Sequence, residues 1–241
     1  MSDRWPVHTV VFDLDDTLYL EREFVLSGVA AVDRWLREER QVEGFAEEAG
    51  QLFDAGLRGQ IFDGALTALG QEASPPTIQR LVEIYRAHEP ALTLTPDAAA
   101  ALAWAAPRFR LALITDGYAA VQVRKIRALA LERHIPLRIV TDEIGRDFWK
   151  PHPEAFRRVM TQCPGPAAGY LYIGDNPRKD FLAPHALGWR TLRIRRPGGE
   201  HCTATAAQNE DAEREVETLA GLEALLESGP APVGMPASDA A

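Results

Sequence analysis

Short apolar runs alternate with segments of helical periodicity along the second half of the chain, and this alternation restricts the possible folds. Strand-like runs at 110–115, 137–141, 170–173 and 191–194 are separated by helix-like segments at 98–106, 121–131, 154–160 and 178–187. Strands that alternate with helices predict a parallel sheet covered by helices on both faces. We therefore predict an α/β fold with a doubly wound, Rossmann-like parallel sheet.

An apolar run near the N-terminus, at 10–12, ends in the sequence Asp13-Leu14-Asp15-Asp16. Carboxylates resist desolvation unless they are paired or bound to a cation. Residues two apart on a strand point to the same side, so Asp13 and Asp15 should face one space at the strand tip. A solvated Asp-rich turn is the plainer interpretation of these residues taken alone.

The segment at 20–92 has helical periodicity and no convincing strand, so we predict a helical insertion into the α/β domain. The predicted domains are an α/β core at 1–19 and 93–227, a helical cap at 20–92 and a disordered tail at 228–241. A last helix is predicted at 213–226. Because open α/β sheets bind ligands at the carboxyl ends of their strands, the cap is expected over that edge.

Composition excludes several classes of protein. The net charge of −9, without a run of Lys and Arg, argues against a nucleic-acid partner. No segment approaches the roughly 18 apolar residues of a membrane span. Cys163 and Cys202 lack metal-type spacing and fit a reducing compartment, which with the absence of a signal region predicts a cytoplasmic protein. We expect a monomer or a homodimer.

Polar groups follow four of the predicted strands. A hydroxyl and exposed backbone N–H groups in Thr115-Asp116-Gly117, at a strand-to-helix turn, are typical of a phosphate cradle. Lys150 precedes a loop stiffened by two prolines. Asp175 lies at the end of a strand, and Asp180 follows it by about one helical turn. Each element alone is weak, but four in this order at strand ends indicate one site.

Together, Asp13, Thr115, Lys150 and Gly174-Asp175 with Asp180 resemble the four motifs of the haloacid dehalogenase superfamily, over about residues 8–195. The insertion after the first motif resembles the cap of one subgroup. The resemblance implies phosphoryl transfer through an aspartyl-phosphate, with Asp13 as the nucleophile.

The resemblance also implies Mg²⁺, held by the Asp13 carboxylate, the Asp15 backbone carbonyl and the Asp175 carboxylate. Asp180 would hold a metal-bound water or orient Lys150, which would neutralise the nucleophile and the transferring phosphoryl group.

Further roles follow from the same resemblance. Thr115, with the N–H groups of Asp116 and Gly117, would hold the phosphoryl oxygens. Asp15 would protonate the leaving alkoxide and then activate water, which requires a pKa above the usual Asp value of about 3.9. Asp116 departs from the Asn that is common in the second motif. Either its backbone N–H does the work, or its side chain meets the substrate and disfavours a nearby anion.

The carboxyl group of Asp15 favours phosphoester chemistry, since dehalogenase-like members lack Asp there and a halide needs no proton. The segment at 20–92 contains no Lys, which argues against an imine-forming, phosphonate-cleaving member. The predicted function is a Mg²⁺-dependent phosphatase for a small phosphorylated metabolite, either a sugar phosphate or a nucleoside monophosphate. A phosphomutase and a catalytically silent phosphate-ligand binder are the alternatives.

Overall fold

The structure, a computed structural model, describes residues 4–207 and 210–228. The described residues form two compact units, a core unit up to Glu21 and from Thr93 onward, and a helical unit over Arg22–Leu92. The strands are β1 (Trp5–Val7), β2 (Thr9–Phe12), β3 (Arg110–Thr115), β4 (Leu137–Val140), β5 (Tyr170–Gly174), β6 (Arg190–Ile194), β7 (Arg214–Val216) and β8 (Leu226–Ser228). The helices are α1 (Glu21–Arg40), α2 (Phe45–Asp54), α3 (Ile61–Ala68), α4 (Pro75–Ala87), α5 (Pro96–Ala105), α6 (Ala119–Ala128), α7 (Glu154–Gln162), α8 (Leu182–Ala186) and α9 (Leu222–Leu225).

The core unit contains a six-stranded sheet in the order β4-β3-β2-β5-β6-β7, and every neighbouring pair is parallel. The predicted α/β fold is therefore confirmed. The central strand β2 pairs with β3 on one side and with β5 on the other, where Val10 lies opposite Leu111 and Leu171. Chain connections run in opposite directions from this point, which is where open parallel sheets bind ligands.

Helix α7 shows how the sheet is covered. Its apolar residues at three- and four-residue spacing, Ala155, Phe156 and Val159, are completely buried. The Phe156 ring lies edge-on to Tyr172 and Trp189, with centroids 5.1 and 5.5 Å away. This aromatic packing fixes β5 from one face and leaves its carboxyl end to carry polar groups.

The helical unit has its own core, formed where the apolar faces of α1, α2, α3 and α4 meet. Phe45 is completely buried, and the Phe24 and Tyr85 rings lie edge-to-face at 5.4 Å. A Cβ on Gly28 would lie 2.4 Å from the Tyr85 ring, so this close approach requires glycine. Placement of this unit as a cap remains a prediction.

Two predicted helices differ from the structure. The helix expected at 178–187 begins only at Leu182, because the Asn176 side chain accepts a hydrogen bond from the N–H of Arg178 and holds a turn there. The helix expected at 213–226 is wrong. Its apolar spacing is divided between β7, which pairs with β6, and the short α9, and Gly221 with φ +84° interrupts any continuous helix.

Three further elements, β1, α2 and β8, were not predicted. Within the described residues, no helix combines the length and apolar character needed to cross a bilayer. The predicted disordered tail, apart from Ser228, lies outside the described residues.

Asp97, at the start of α5, fastens the C-terminal segment of the core unit. Its carboxylate accepts hydrogen bonds from Arg196 Nη1 at 2.9 Å and from the Leu219 N–H at 2.7 Å. Burial opposes ionisation, but the Arg196 guanidinium and the other hydrogen bonds outweigh it and hold the Asp97 pKa well below its usual range.

Replacement of Asp97 by asparagine is expected to lower the thermal unfolding midpoint by a few degrees at pH 7. A folded-state pKa below the unfolded value stabilises the protein above that unfolded pKa, and the contribution disappears as pH falls through the folded pKa. The difference between the two proteins should therefore shrink below about pH 4. Calorimetry at several pH values measures it, and a difference that is independent of pH would contradict this role.

Candidate active site

Asp13 and Lys150 meet at the carboxyl end of β2. The N–H of Asp13 donates to the Ile173 carbonyl at 2.8 Å, which places its side chain directly after the paired part of the strand. Lys150 Nζ, completely buried, donates to Asp13 Oδ1 at 2.7 Å, Asp180 Oδ1 at 2.7 Å and the Tyr172 hydroxyl at 2.9 Å. Three acceptors use all three ammonium protons, so the lysine is held in one position.

Three buried carboxylates surround this lysine. Asp13, Asp175 and Asp180 each offer an oxygen, and these oxygens lie within 4.8 Å of one another. A Cβ on Gly174 would come within 2.6 Å of an Asp180 oxygen, so glycine at this strand end lets Asp180 approach. Three carboxylates around the Lys150 ammonium, with Lys179 as the further cation that acts on them, leave an excess of buried negative charge, and an all-oxygen cluster of this kind fits a hard divalent cation.

The carboxyl groups of this cluster differ in their pKa values. Burial raises the pKa of Asp13 to about 6, against the opposing charge of Lys150. Burial, together with Asp180 and Asp13, raises the pKa of Asp175 well above its usual range. Burial acts in the same direction on Asp180, but Lys150 and Lys179 outweigh it and lower that pKa. Asp13 and Asp175 are therefore the groups of this cluster whose charged forms burial disfavours.

The cluster opens into a cavity of about 370 Å³ within the core unit. Its lining comprises Asp13, Asp15, Asp16, Glu21, Asp116, Gly117, Trp149, Lys150, Asp175, Asn176, Lys179 and His201. Thr115 is 1% exposed, and its hydroxyl oxygen accepts a hydrogen bond from Gln122 Nε2 at 2.8 Å. Gly117 has φ +121°, a backbone conformation that other residues rarely adopt, at the turn that follows β3.

The Asp116 side chain links three loops of the site. Its Oδ1 accepts hydrogen bonds from the Thr141 hydroxyl at 2.7 Å and from the N–H of Lys150 at 3.1 Å. Its Oδ2 lies 3.6 Å from Lys179 Nζ. Both oxygens of the Asp116 carboxylate therefore have partners within the protein. This supports the interpretation that the backbone of this residue, rather than its carboxylate, faces the substrate.

Substitutions at Asp116 are expected to separate these two interpretations. Asparagine retains the Oδ1 acceptor and should change kcat/KM little, whereas alanine removes it and should lower kcat/KM by on the order of 10- to 100-fold through displacement of Lys150. Steady-state kinetics on one phosphomonoester would measure both variants. Higher affinity of the asparagine variant for substrates with a second anionic group would show instead that the carboxylate meets the substrate.

Asp15 is held by residues that sequence reasoning missed. Its Oδ1 accepts hydrogen bonds from the Tyr19 hydroxyl and, at 2.7 Å, from Lys125 Nζ. Its Oδ2 accepts one from Gln122 Nε2 at 3.0 Å. Burial opposes ionisation of Asp15, but Lys125 and these hydrogen bonds outweigh it and lower the pKa of this carboxyl group. The raised pKa that a general acid needs near neutral pH is therefore not found for Asp15 within the core unit. In the sequence, the available signal for these contacts was that Gln122 and Lys125 are three residues apart on the helix after the second motif and so lie on one face of it.

Asp16 shapes the loop around the site. It adopts φ +53°, and its two oxygens accept hydrogen bonds from the N–H groups of Glu21 at 2.9 Å and Glu200 at 2.8 Å. The third carboxylate of the Asp-rich turn is thus satisfied by backbone donors.

The segment after β6 also reaches the cavity, although its sequence is irregular. Arg193 donates to the carbonyls of His201 and Ala204 at 3.1 and 2.6 Å. The His201 ring lies 2.9 Å from the Asn176 amide. A buried arginine therefore fixes this loop, and no local pattern in the sequence indicated it.

Comparison with known proteins agrees with this geometry. A family model described as haloacid dehalogenase-like hydrolase matches residues 7–188. The chain belongs to the haloacid dehalogenase-like hydrolases. The resemblance carried by the four motifs is thereby confirmed at the level of the family, and the chain is a hydrolase.

Two curated relatives of this hydrolase are phosphatases. Phosphoserine phosphatase of Thermus thermophilus is 30% identical over 141 residues, which cover 58% of this chain and only 55% of that protein. Glyceraldehyde 3-phosphate phosphatase of Methanocaldococcus jannaschii is 28% identical over 195 residues, which cover 77% of this chain and 83% of that protein.

Solved structures share the hydrolase fold. The HAD-hydrolase YfnB from Bacillus subtilis, described as bound to magnesium, aligns with a TM-score of 0.64 at 21% identity and covers 92% of this chain and 99% of its own. The L-2-haloacid dehalogenase of Xanthobacter autotrophicus aligns with a TM-score of 0.57 at 22% identity and covers 90% of this chain and 96% of its own. At such identities the likeness establishes the fold alone.

Proposed function

We propose that this hydrolase is a Mg²⁺-dependent phosphatase that cleaves a small soluble phosphomonoester, such as a sugar phosphate or a nucleoside monophosphate. The observation that carries the proposal is the Lys150 ammonium, which bonds with both Asp13 and Asp180 beside a cluster of three buried carboxylates. A nucleophilic carboxylate that approaches a phosphate dianion needs positive charge beside it, which Lys150 and a cation held by the carboxylate cluster would supply. The two phosphatases among the relatives support the same class of substrate.

Asp15 distinguishes phosphoester cleavage from dehalogenation. Dehalogenases occur among the structural neighbours, but a halide leaves without a proton, whereas an alkoxide needs one. Asp15 lines the same cavity as Asp13, two residues along the chain, and it would donate this proton once a bound phosphate has offset the Lys125 charge that lowers its pKa.

The reaction would proceed in two halves through Asp13. First, an Asp13 oxygen forms a bond to phosphorus while the ester P–O bond breaks, and the leaving alkoxide takes the proton of Asp15. Then water attacks the phosphorus, its proton passes to Asp15, and the bond between phosphorus and Asp13 breaks. Phosphate and an alcohol are released, and both carboxyl groups return to their starting states.

Other groups of the site serve these steps. Lys150 neutralises charge on Asp13 and on the phosphoryl group, while Thr115 and the N–H groups of Asp116 and Gly117 hold its oxygens. Asp13, the Asp15 carbonyl and Asp175 would hold Mg²⁺, with Asp180 behind them, and the ion when bound would supply further positive charge to the phosphoryl oxygens. The negative charge of a bound phosphate would oppose ionisation of Asp15 and so favour its protonated form for the first half.

The test is release of inorganic phosphate from a panel of phosphomonoesters, with Mg²⁺ and with a chelator. We expect metal-dependent release from at least one sugar phosphate or nucleotide, against a negligible background of spontaneous hydrolysis. Transfer of phosphate to a second sugar would indicate a phosphomutase, and absence of both reactions would favour a silent ligand binder. Cytoplasmic location and a monomeric or homodimeric state stay predictions from the sequence.

A further inference from the structure

Lysine is rare in this chain, and every lysine either lines the cavity or contacts a carboxylate that lines it. Only three of the 26 basic residues are lysines, and the others are arginines. Lys150 bonds with Asp13 at 2.7 Å, Lys125 bonds with Asp15 at 2.7 Å, and Lys179 lies 3.6 Å from Asp116. A lysine ammonium is a compact point charge, whereas arginine, which supplies the positive charge elsewhere in the chain, presents a planar guanidinium.

Lys125 is the member of this set that the four motifs do not include. It lies on α6, its side chain is 4% exposed, and its ammonium also lies 3.8 Å from a Glu21 oxygen. Gln122, one helical turn earlier, bonds both with Asp15 and with the Thr115 hydroxyl. One face of α6 therefore bonds both with Asp15, the proposed proton donor, and with Thr115, which is part of the proposed phosphate cradle.

We propose that Lys125 is a positioning residue, which together with Gln122 and Tyr19 holds the Asp15 carboxyl group in the orientation that meets the leaving oxygen and then the attacking water. This inference rests on the proposed phosphatase function. Donors engage both oxygens of Asp15 and so fix the plane of its carboxyl group. The Asp15 side chain remains 21% exposed and lines the cavity, so the fixed group still faces the substrate.

An arginine at position 125 would not be equivalent. A guanidinium presents a rigid fork that pairs with both oxygens of a carboxylate. It would compete with Gln122 for Asp15 Oδ2, whereas the single lysine nitrogen occupies Oδ1 and leaves Oδ2 to the glutamine. The observed division of donors between the two oxygens depends on lysine.

The experiment compares Lys125→Met with the wild type on two phosphomonoesters, an alkyl phosphate and p-nitrophenyl phosphate. Nitrophenolate leaves without a proton, so kcat/KM for this ester does not depend on the position of Asp15, whereas kcat/KM for the alkyl ester does. The ratio of the alkyl to the aryl kcat/KM should fall by on the order of 100-fold in the variant. Since both esters are measured on one preparation, misfolded protein does not affect this ratio.

A second readout concerns the half-reaction with water. Misplacement of Asp15 should slow hydrolysis of the phosphorylated Asp13, so Lys125→Met should release a rapid burst of nitrophenol before a slow steady rate. Arg127→Met is the matched control, because Arg127 is an exposed basic residue of the same helix, and both its ratio and its time course should equal those of the wild type.

The possible outcomes separate the inference from the function on which it rests. A wild type that cleaves both esters, with a Lys125→Met variant whose ratio is unchanged or higher, would overturn the positioning role alone. A wild type that cleaves neither ester in the presence of Mg²⁺ would overturn the phosphatase proposal and the positioning role together.

Discussion

Replacement of Asp13 by asparagine is expected to lower the rate of phosphate release by about 10⁴-fold or more, a loss typical of removal of a covalent nucleophile. An amide oxygen is a poor nucleophile, and the neighbouring carboxylates are not placed to substitute for it. Asp180 is bonded to the N–H of Asn176 and does not line the cavity, and Asp175 lies at the end of a different strand. Phosphate release under saturating Mg²⁺ measures the loss.

The fold should tolerate this change. Asparagine has nearly the volume of aspartate, and it removes one negative charge from a cluster in which burial already raises the pKa of Asp13 to about 6. The unfolding midpoint without metal should therefore be unchanged or higher than that of the wild type. Asp147→Asn, at an exposed position of the core unit, is the control and should retain activity. Substantial turnover by the Asp13 variant would assign the nucleophile to another residue.

Replacement of Lys150 by methionine is expected to have the largest combined effect, because it removes both turnover and a buried cation. The ammonium is completely buried between Asp13 and Asp180, and removal of one partner from such a network typically costs about 3–5 kcal/mol of unfolding free energy. Methionine preserves most of the side-chain volume, so lost charge rather than a cavity should dominate. Denaturant unfolding measures the stability, and phosphate release measures the activity.

The same variant tests the proposed metal site without any need for turnover. With Lys150 absent, Asp13, Asp175 and Asp180 retain no directly bonded ammonium in the described structure, so a divalent cation should stabilise the variant more than it stabilises the wild type. We expect Mg²⁺ to raise the unfolding midpoint of Lys150→Met by the larger increment. Arg178→Met, at an exposed neighbouring position, should respond to Mg²⁺ as the wild type does. Equal increments for all three proteins would argue against a cation in this cluster.

The parallel sheet was predictable from the sequence because its strands are short apolar runs between helices, and burial on both faces leaves that local signature. The helix predicted at 213–226 was wrong because its apolar spacing did not arise from burial of one helix face. Leucines at helical spacing were buried there by separate contacts, Leu219 in the irregular stretch after β7, where its N–H bonds with Asp97, and Leu222 on α9, and spacing alone does not reveal such a division.

The sequence by itself determined the family, the sheet and the strand ends that carry Asp13 and Asp175, because the carboxyl ends of neighbouring parallel strands must meet at one edge. Lys150 was expected at a strand end as well, but it lies in the loop between β4 and α7. Only the tertiary structure decided which groups hold these residues in place. Lys125 is 110 positions from Asp15 in the chain, and Arg193 fixes a loop that local pattern leaves undefined. Contacts between positions so far apart depend on how complete elements pack, and that information is not contained in any local window of residues.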